Sequence, residues 1–119
     1  MKAIICNSYG LPEQLTYGDL PDPTPGPKDV LINIKACSVN FPDTLIIQGK
    51  YQFKPDFPFS PGSDVAGIVE SVGEEVKSLK QGDQVIAMTS HGGFAEKVSV
   101  DYKTVFPMPP GMEMGVAAS

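Results

Sequence analysis

Side chains that hold metals or attack substrates are scarce in this chain. Its 119 residues include one histidine, His91, and two cysteines, Cys6 and Cys37. The cysteines lie far apart and form no Cys-x-x-Cys pair, so a metal clip or a redox dithiol has no support. Both are expected as small core or strand residues. Positive charge is also sparse: nine Lys/Arg, scattered along the chain, face 14 Asp/Glu for a net charge of -5. No basic stripe exists to neutralise phosphates, which argues against nucleic acid as a partner. No apolar run approaches the roughly 20 residues of a membrane span. Met1 leads directly into the strand-like Lys2-Ala3-Ile4-Ile5-Cys6, without the charged and apolar regions of a signal peptide. The expectation is a soluble, cytoplasmic protein with no membrane partner.

Glycine and proline, 12 of each, are abundant, though below the level of low complexity. They cut the chain into short strands. Val30, Ile32, Ile34 and Ala36 alternate with Leu31, Asn33, Lys35 and Cys37, the period of a strand with one face in a core. Similar runs occupy residues 2–6, 15–18, 65–72, 84–88, 94–100 and 104–106. Turn signals between them include Pro21-Asp22-Pro23, Pro25-Gly26-Pro27 and Gln81-Gly82-Asp83. Many short strands with frequent breaks predict a mainly β domain, a small barrel or sandwich. At this length one domain removes roughly two thirds of its unfolded surface from water, enough for a core without staples.

One early helix is predicted from Asn40. Asn is a favoured N-cap, Pro42 fits the first turn, Asp43 complements the positive end of the helix dipole and Gly49 closes the C-terminus. Leu45, Ile46 and Ile47 supply its buried side. A second helix is expected to begin near Met112 and to run through Ser119. Glu74-Glu75 reads as a charged surface turn. His91, beside Gly92-Gly93, is expected to be a solvated loop residue without a partner, although its titration range suits proton transfer.

The segments 37–51, 58–69, Val72-Gly73, 82–87 and 92–96 occur in an order and spacing that resemble one family. Nearly the whole chain is similar to the N-terminal GroES-like catalytic domain of the medium-chain dehydrogenase/reductase superfamily, in its zinc-independent, zeta-crystallin-like quinone oxidoreductase branch. The resemblance implies a GroES-like, partly open β-barrel with short helices. It assigns residues 1–111 to an incomplete catalytic domain and 112–119 to the start of a linker toward a Rossmann domain. No Gly-x-Gly-x-x-Gly fingerprint is present in this chain, because Asp64 occupies the second glycine position of Gly62-Ser63-Asp64-Val65-Ala66-Gly67.

By the same resemblance, NADPH delivers hydride to a quinone or an α,β-unsaturated carbonyl without a metal. Zinc relatives place ligands where this chain has Asn40 and Ser63, and both are poor zinc ligands. Asn40 matches an asparagine beside nicotinamide and substrate, where an amide can donate to a developing oxyanion and accept from the cofactor amide. Asn40 and Asp43 are thus the catalytic candidates, with Phe41, Leu45, Tyr51, Ser63 and Asp64 lining the cleft. Leu45 departs from members with an aromatic residue there, and Asp64 stands where glutamate is usual. Local structure alone also accounts for Asn40 as an N-cap, Asp43 as a helix-start residue and Tyr51 as packing. The rival readings are an enoyl-thioester reductase of the same superfamily and a non-catalytic GroES-like interaction module. The chain by itself is expected to be inactive and to self-associate through surface that its partner domain normally covers or through the Met112 to Ser119 tail.

Overall fold

β-branched residues at alternate positions set the architecture. In the computed structural model, which describes residues 1–50, 54–109, 111–114 and 118 apart from the side chains of Phe41 and Pro42, seven strands are found. They are β1 (Lys2–Ile5), β2 (Thr16–Asp19), β3 (Asp29–Cys37), β4 (Asp64–Val72), β5 (Gln84–Met88), β6 (Lys97–Asp101) and β7 (Val105–Pro107). β1 and β2 form an antiparallel ribbon, while the other five make one antiparallel sheet in the order β6-β3-β4-β5-β7. The sheet curls into a half-barrel, the GroES-like fold expected from the sequence. Its core is Val30 and Ile32 of β3, Val65 and Val69 of β4, Val85 and Ala87 of β5, Val98 and Val100 of β6, and Val105 of β7. Each such side chain, fully buried, contributes on the order of 1.5 to 3 kcal/mol.

The alternation expected along β3 holds only for its first half. Register shifts against β4 fall between Leu31 and Ile32 and between Ile34 and Ala36. An extra residue in one strand of a pair reverses the phase of every side chain beyond it. Cys37 rather than Ala36 therefore packs against the main core. The run expected over 94–100 forms a strand only from Lys97. Phe94 to Glu96 instead join β1 and β3, with Ile4 N–H donating to Phe94 O at 2.8 Å and Ile34 N–H to Glu96 O at 2.9 Å.

The predicted helix is present as α1 (Phe41–Ile47), with Asn40 at its N-cap. Its end is a Schellman turn: Lys50 N–H donates to Leu45 O at 3.0 Å and Gly49 N–H to Ile46 O at 3.3 Å. Gly49 has φ of +71°, a conformation that costs glycine little. Ile46 and Ile47 are buried against Cys6, Phe59 and Leu15 in a second, smaller core, and Leu45 is half-buried. Of the second helix expected from near Met112, Met112 and Glu113 are described outside any helix, Met114 is helical, and Ala118 N–H donates to Met114 O at 3.0 Å; residues 115–117 and 119 lie outside the described residues.

Candidate functional site

Three segments meet where β3 ends: the extended stretch Ser38-Val39-Asn40, the first turn of α1, and the Pro61-Gly62-Ser63 turn that leads into β4. An extended chain sends side chains i and i+2 to the same side. Ser38 and Asn40 accordingly face one another, while Val39 between them is 76% exposed.

Asn40 is held by its backbone and by its amide. Its N–H donates to Asp43 Oδ2 at 2.8 Å, one arm of a capping box. Its Nδ2 donates to Asp64 Oδ2 at 2.6 Å and to Ser38 Oγ at 3.0 Å. Both amide hydrogens are thereby engaged. The ring is closed by Ser38 N–H, which donates to Asp64 O at 3.1 Å. The carboxylate fixes the orientation of the amide, because only its nitrogen can donate to Asp64.

Asp43 is 5% exposed and serves as a bolt. Besides Asn40 it accepts from the backbone N–H of Gly62, tying the helix start to the turn before β4. Burial pushes its carboxyl above the usual range; the two backbone donors oppose this, and the nearby Asp64 charge adds to it. Gly62 has φ of +105°, and a Cβ there would lie 2.9 Å from Phe94 N and 3.0 Å from Cys37 Sγ. This close approach keeps turn, strand end and the Gly93-Phe94 segment together. Burial, aided by Asp43 and Asp64, pushes the Cys37 thiol up to about 12, so it remains a protonated packing group.

The structure thus brings Asn40, Asp43 and Asp64 together with Ser63 beside them. Ser63 sits in the turn, its carbonyl accepting from Thr89 N–H at 2.8 Å. Leu45 lies one turn further along α1. Phe41 opens that helix, its side chain outside the described ones, and Tyr51 lies outside the described residues altogether. Ser38 escaped the sequence reading; its signal was the spacing of two from Asn40. Asp64 also lines a recess of about 280 Å³ with Val65, Ile86, Met88 and Phe106.

His91 departs from expectation. Its ring is half-buried, edge-on to Phe59 at 5.9 Å and 87°, with Nδ1 3.0 Å from Ser90 Oγ. Burial lowers its pKa. Among the described residues, no three His, Cys, Asp or Glu side chains are grouped to hold a metal ion, and no helix is long and apolar enough to cross a membrane.

Comparison with known proteins agrees with this architecture. Residues 26–110 match the alcohol dehydrogenase GroES-like domain. Mouse quinone oxidoreductase is 44% identical over 111 residues, covering 92% of this chain and 34% of its own length. A probable oxidoreductase from Mycobacterium abscessus superposes with a TM-score of 0.92 at 42% identity, over 99% of this chain and 38% of that one. Escherichia coli quinone oxidoreductase complexed with NADPH gives 0.92 at 28% identity, over 99% and 36%. The chain spans about a third of the length of these relatives. A curled five-stranded sheet, a capped helix after β3, and these likenesses have one explanation: the chain belongs to the alcohol dehydrogenase GroES-like domain family, in its quinone oxidoreductase branch.

Proposed function

We propose that this chain is the substrate-side domain of an NADPH-dependent, zinc-independent reductase of quinones or α,β-unsaturated carbonyls. In this reading residues 1–111 form the catalytic domain and 112–119 lead toward a dinucleotide-binding domain. The observation that carries it is the Asn40 amide, fixed by Asp64 and Ser38 at 2.6 and 3.0 Å, at a position that by the family resemblance holds a ligand in zinc relatives. The donor set suits an organic cofactor better than a metal. The Asn40 amide, a serine hydroxyl and the Cys37 thiol held protonated by burial are weak zinc ligands, and the two carboxylates Asp43 and Asp64 fall short of the three or so anionic or imidazole donors that a zinc ion needs. An amide of fixed orientation, by contrast, matches the primary carboxamide of a nicotinamide ring.

Bound NADPH supplies a hydride to the electron-poor carbon of the acceptor. The protein's part is positional. Asn40 would orient the ring, Asp43 holds the α1 start to the β4 turn, and Ser63, Asp64 and Leu45 would border the acceptor, with Phe41 and Tyr51 assigned there by the family resemblance alone. The free thiols of Cys6 and Cys37 agree with a reducing, cytoplasmic setting. Taken alone, the chain is expected to be inactive and to self-associate through exposed apolar side chains such as Met88 and Phe106.

The test is NADPH oxidation by the complete enzyme, purified without metal and assayed with 1,4-benzoquinone, an enone and an enoyl thioester. Turnover with the quinone or the enone, unchanged by a chelator, is expected. Stoichiometric zinc needed for turnover, or reduction of the thioester alone, overturns the reading.

A further inference from the structure

We propose that the recess between segment 20–23, segment 55–60 and β6 is a binding site for an uncharged aromatic molecule bearing a hydroxyl, which pairs with the side chain of Ser99. The site lies apart from the Asn40 corner and does not depend on the NADPH reading.

The recess has a volume of about 680 Å³, within the range usual for small-molecule sites. Pro21, Pro23, Pro55, Pro58, Phe59 and Val98 wall it. Proline has a fixed φ and almost no side-chain freedom to lose, so this wall is ordered before a ligand arrives. Proline and aromatic rings also complement one another as flat apolar faces. Ser38, Asn40, Asp43 and Asp64 are not among its lining residues. The link to the corner is indirect, through Thr89, whose N–H donates to Ser63 O at 2.8 Å.

The charges around the recess are already matched. Lys97 Nζ pairs with Glu70 at 3.1 Å; the Met1 ammonium pairs with Asp22 at 3.0 Å and donates to Leu20 O at 2.7 Å. Asp56 is exposed to water. Burial lowers the pKa of His91 and favours its neutral ring. An ion entering here would lose hydration without meeting an unpaired opposite charge, whereas a neutral ring loses little.

One polar atom is left over. Ser99 Oγ is buried and has no hydrogen-bond partner among the described residues. The hydroxyls near it are committed elsewhere: Ser60 Oγ donates to Phe94 O at 2.9 Å, Thr89 Oγ1 donates to His91 O at 3.0 Å, and Ser90 Oγ lies 3.0 Å from His91 Nδ1. Ser99 is fixed by the sheet, paired with Leu31 of β3, and also borders a second recess of about 450 Å³. Its hydroxyl has already lost its water, so a ligand hydroxyl that pairs with it regains a bond the folded chain leaves unmade.

The experiment titrates the complete enzyme, without dinucleotide, with 2-naphthol and with naphthalene, following fluorescence. Wild type is expected to bind 2-naphthol at one site per chain, about tenfold more tightly than naphthalene, the size of one good hydrogen bond. Ser99→Ala should remove that difference, and Asn40→Ala should leave both affinities unchanged. No saturable binding of 2-naphthol by wild type overturns the proposal, as does equal affinity for the two compounds; neither result needs a variant to fold. Binding lost in Asn40→Ala, or fully retained in Ser99→Ala, puts the ligand elsewhere and also overturns it. Denaturant unfolding adds a check without ligand: Ser99→Ala should be at least as stable as wild type, because it deletes an unpaired buried hydroxyl. A clear loss of stability means that the hydroxyl is already paired, and the proposal fails.

Discussion

The interior of the five-stranded sheet and the corner at its end are built on different physics. Within the sheet, Val30, Ile32, Val65, Val69 and Val85 are almost fully buried and gain from leaving water, a force without direction that tolerates one apolar side chain for another of similar volume. At the corner, Ser38, Asn40, Asp43 and Asp64 are joined by bonds of 2.6 to 3.1 Å, each of which needs one donor and one acceptor in one geometry. The first region secures the fold and the second secures a position. Substitutions in the sheet should therefore be read out as stability and those in the corner mainly as affinity or turnover.

The strongest break in the comparison comes from the sheet. Ile32 has no exposed surface, and Ile32→Ala is expected to cost about 3 to 4 kcal/mol of unfolding free energy, by lost transfer and a residual cavity. Denaturant titration measures it, and the folded fraction should keep its KM values. Asn40→Ala should show the reverse pattern. A drop in kcat/KM of roughly 10- to 100-fold accompanies a stability loss of only about 1 kcal/mol, the value of a helix cap. Normal turnover with a lowered melting point would assign Asn40 to capping alone.

Asp43 sharpens the boundary, because it lies in the corner yet is buried like the core. Asp43→Ala orphans two backbone N–H groups and should cost about 2 to 4 kcal/mol. Asp43→Asn retains an acceptor oxygen and should cost less. It also changes the pH profile: the folded state raises the carboxyl pKa above its ordinary 3.8, so it binds the proton more tightly than the unfolded chain. That contribution is fully present below 3.8 and is lost as pH rises through the folded value. The slope should vanish in Asp43→Asn when unfolding is followed across that window.

The smallest effect is expected at His91. Burial lowers its pKa from 6.5, so its contribution to stability is present above 6.5 and is lost as pH falls through the folded value. His91→Gln should flatten the acid side of the stability curve by under about 1 kcal/mol, with no change in dinucleotide affinity. A change in that affinity would extend the functional corner to the loop packed on Phe59.

Much of this was legible in the residues themselves. The bounds of β5 and the capped start and Gly49 close of α1 follow from local rules, because caps, turns and period-2 alternation act over a few neighbours. That Asn40 and Ser63 stand where zinc relatives have ligands came from the family resemblance, and only the weakness of an amide and a hydroxyl as zinc ligands follows from residue type. Two features lay beyond local rules. The shift between Ile34 and Ala36 exchanged Ala36 for Cys37 at the core, and His91 went from solvent to the edge of Phe59.

Composition, periodicity and capping signals alone determined that this chain makes a small, mainly β domain with one capped helix starting at Asn40. Only the tertiary structure decided which polar side chains meet. Asn40 and Asp64 are 24 residues apart, and their 2.6 Å contact arises because β4 folds back antiparallel to β3 and begins where β3 ends. Strand pairing across a long loop is a property of the whole sheet, so no local pattern announces it. The orientation of the amide, and with it the chemistry it offers, follows from that pairing.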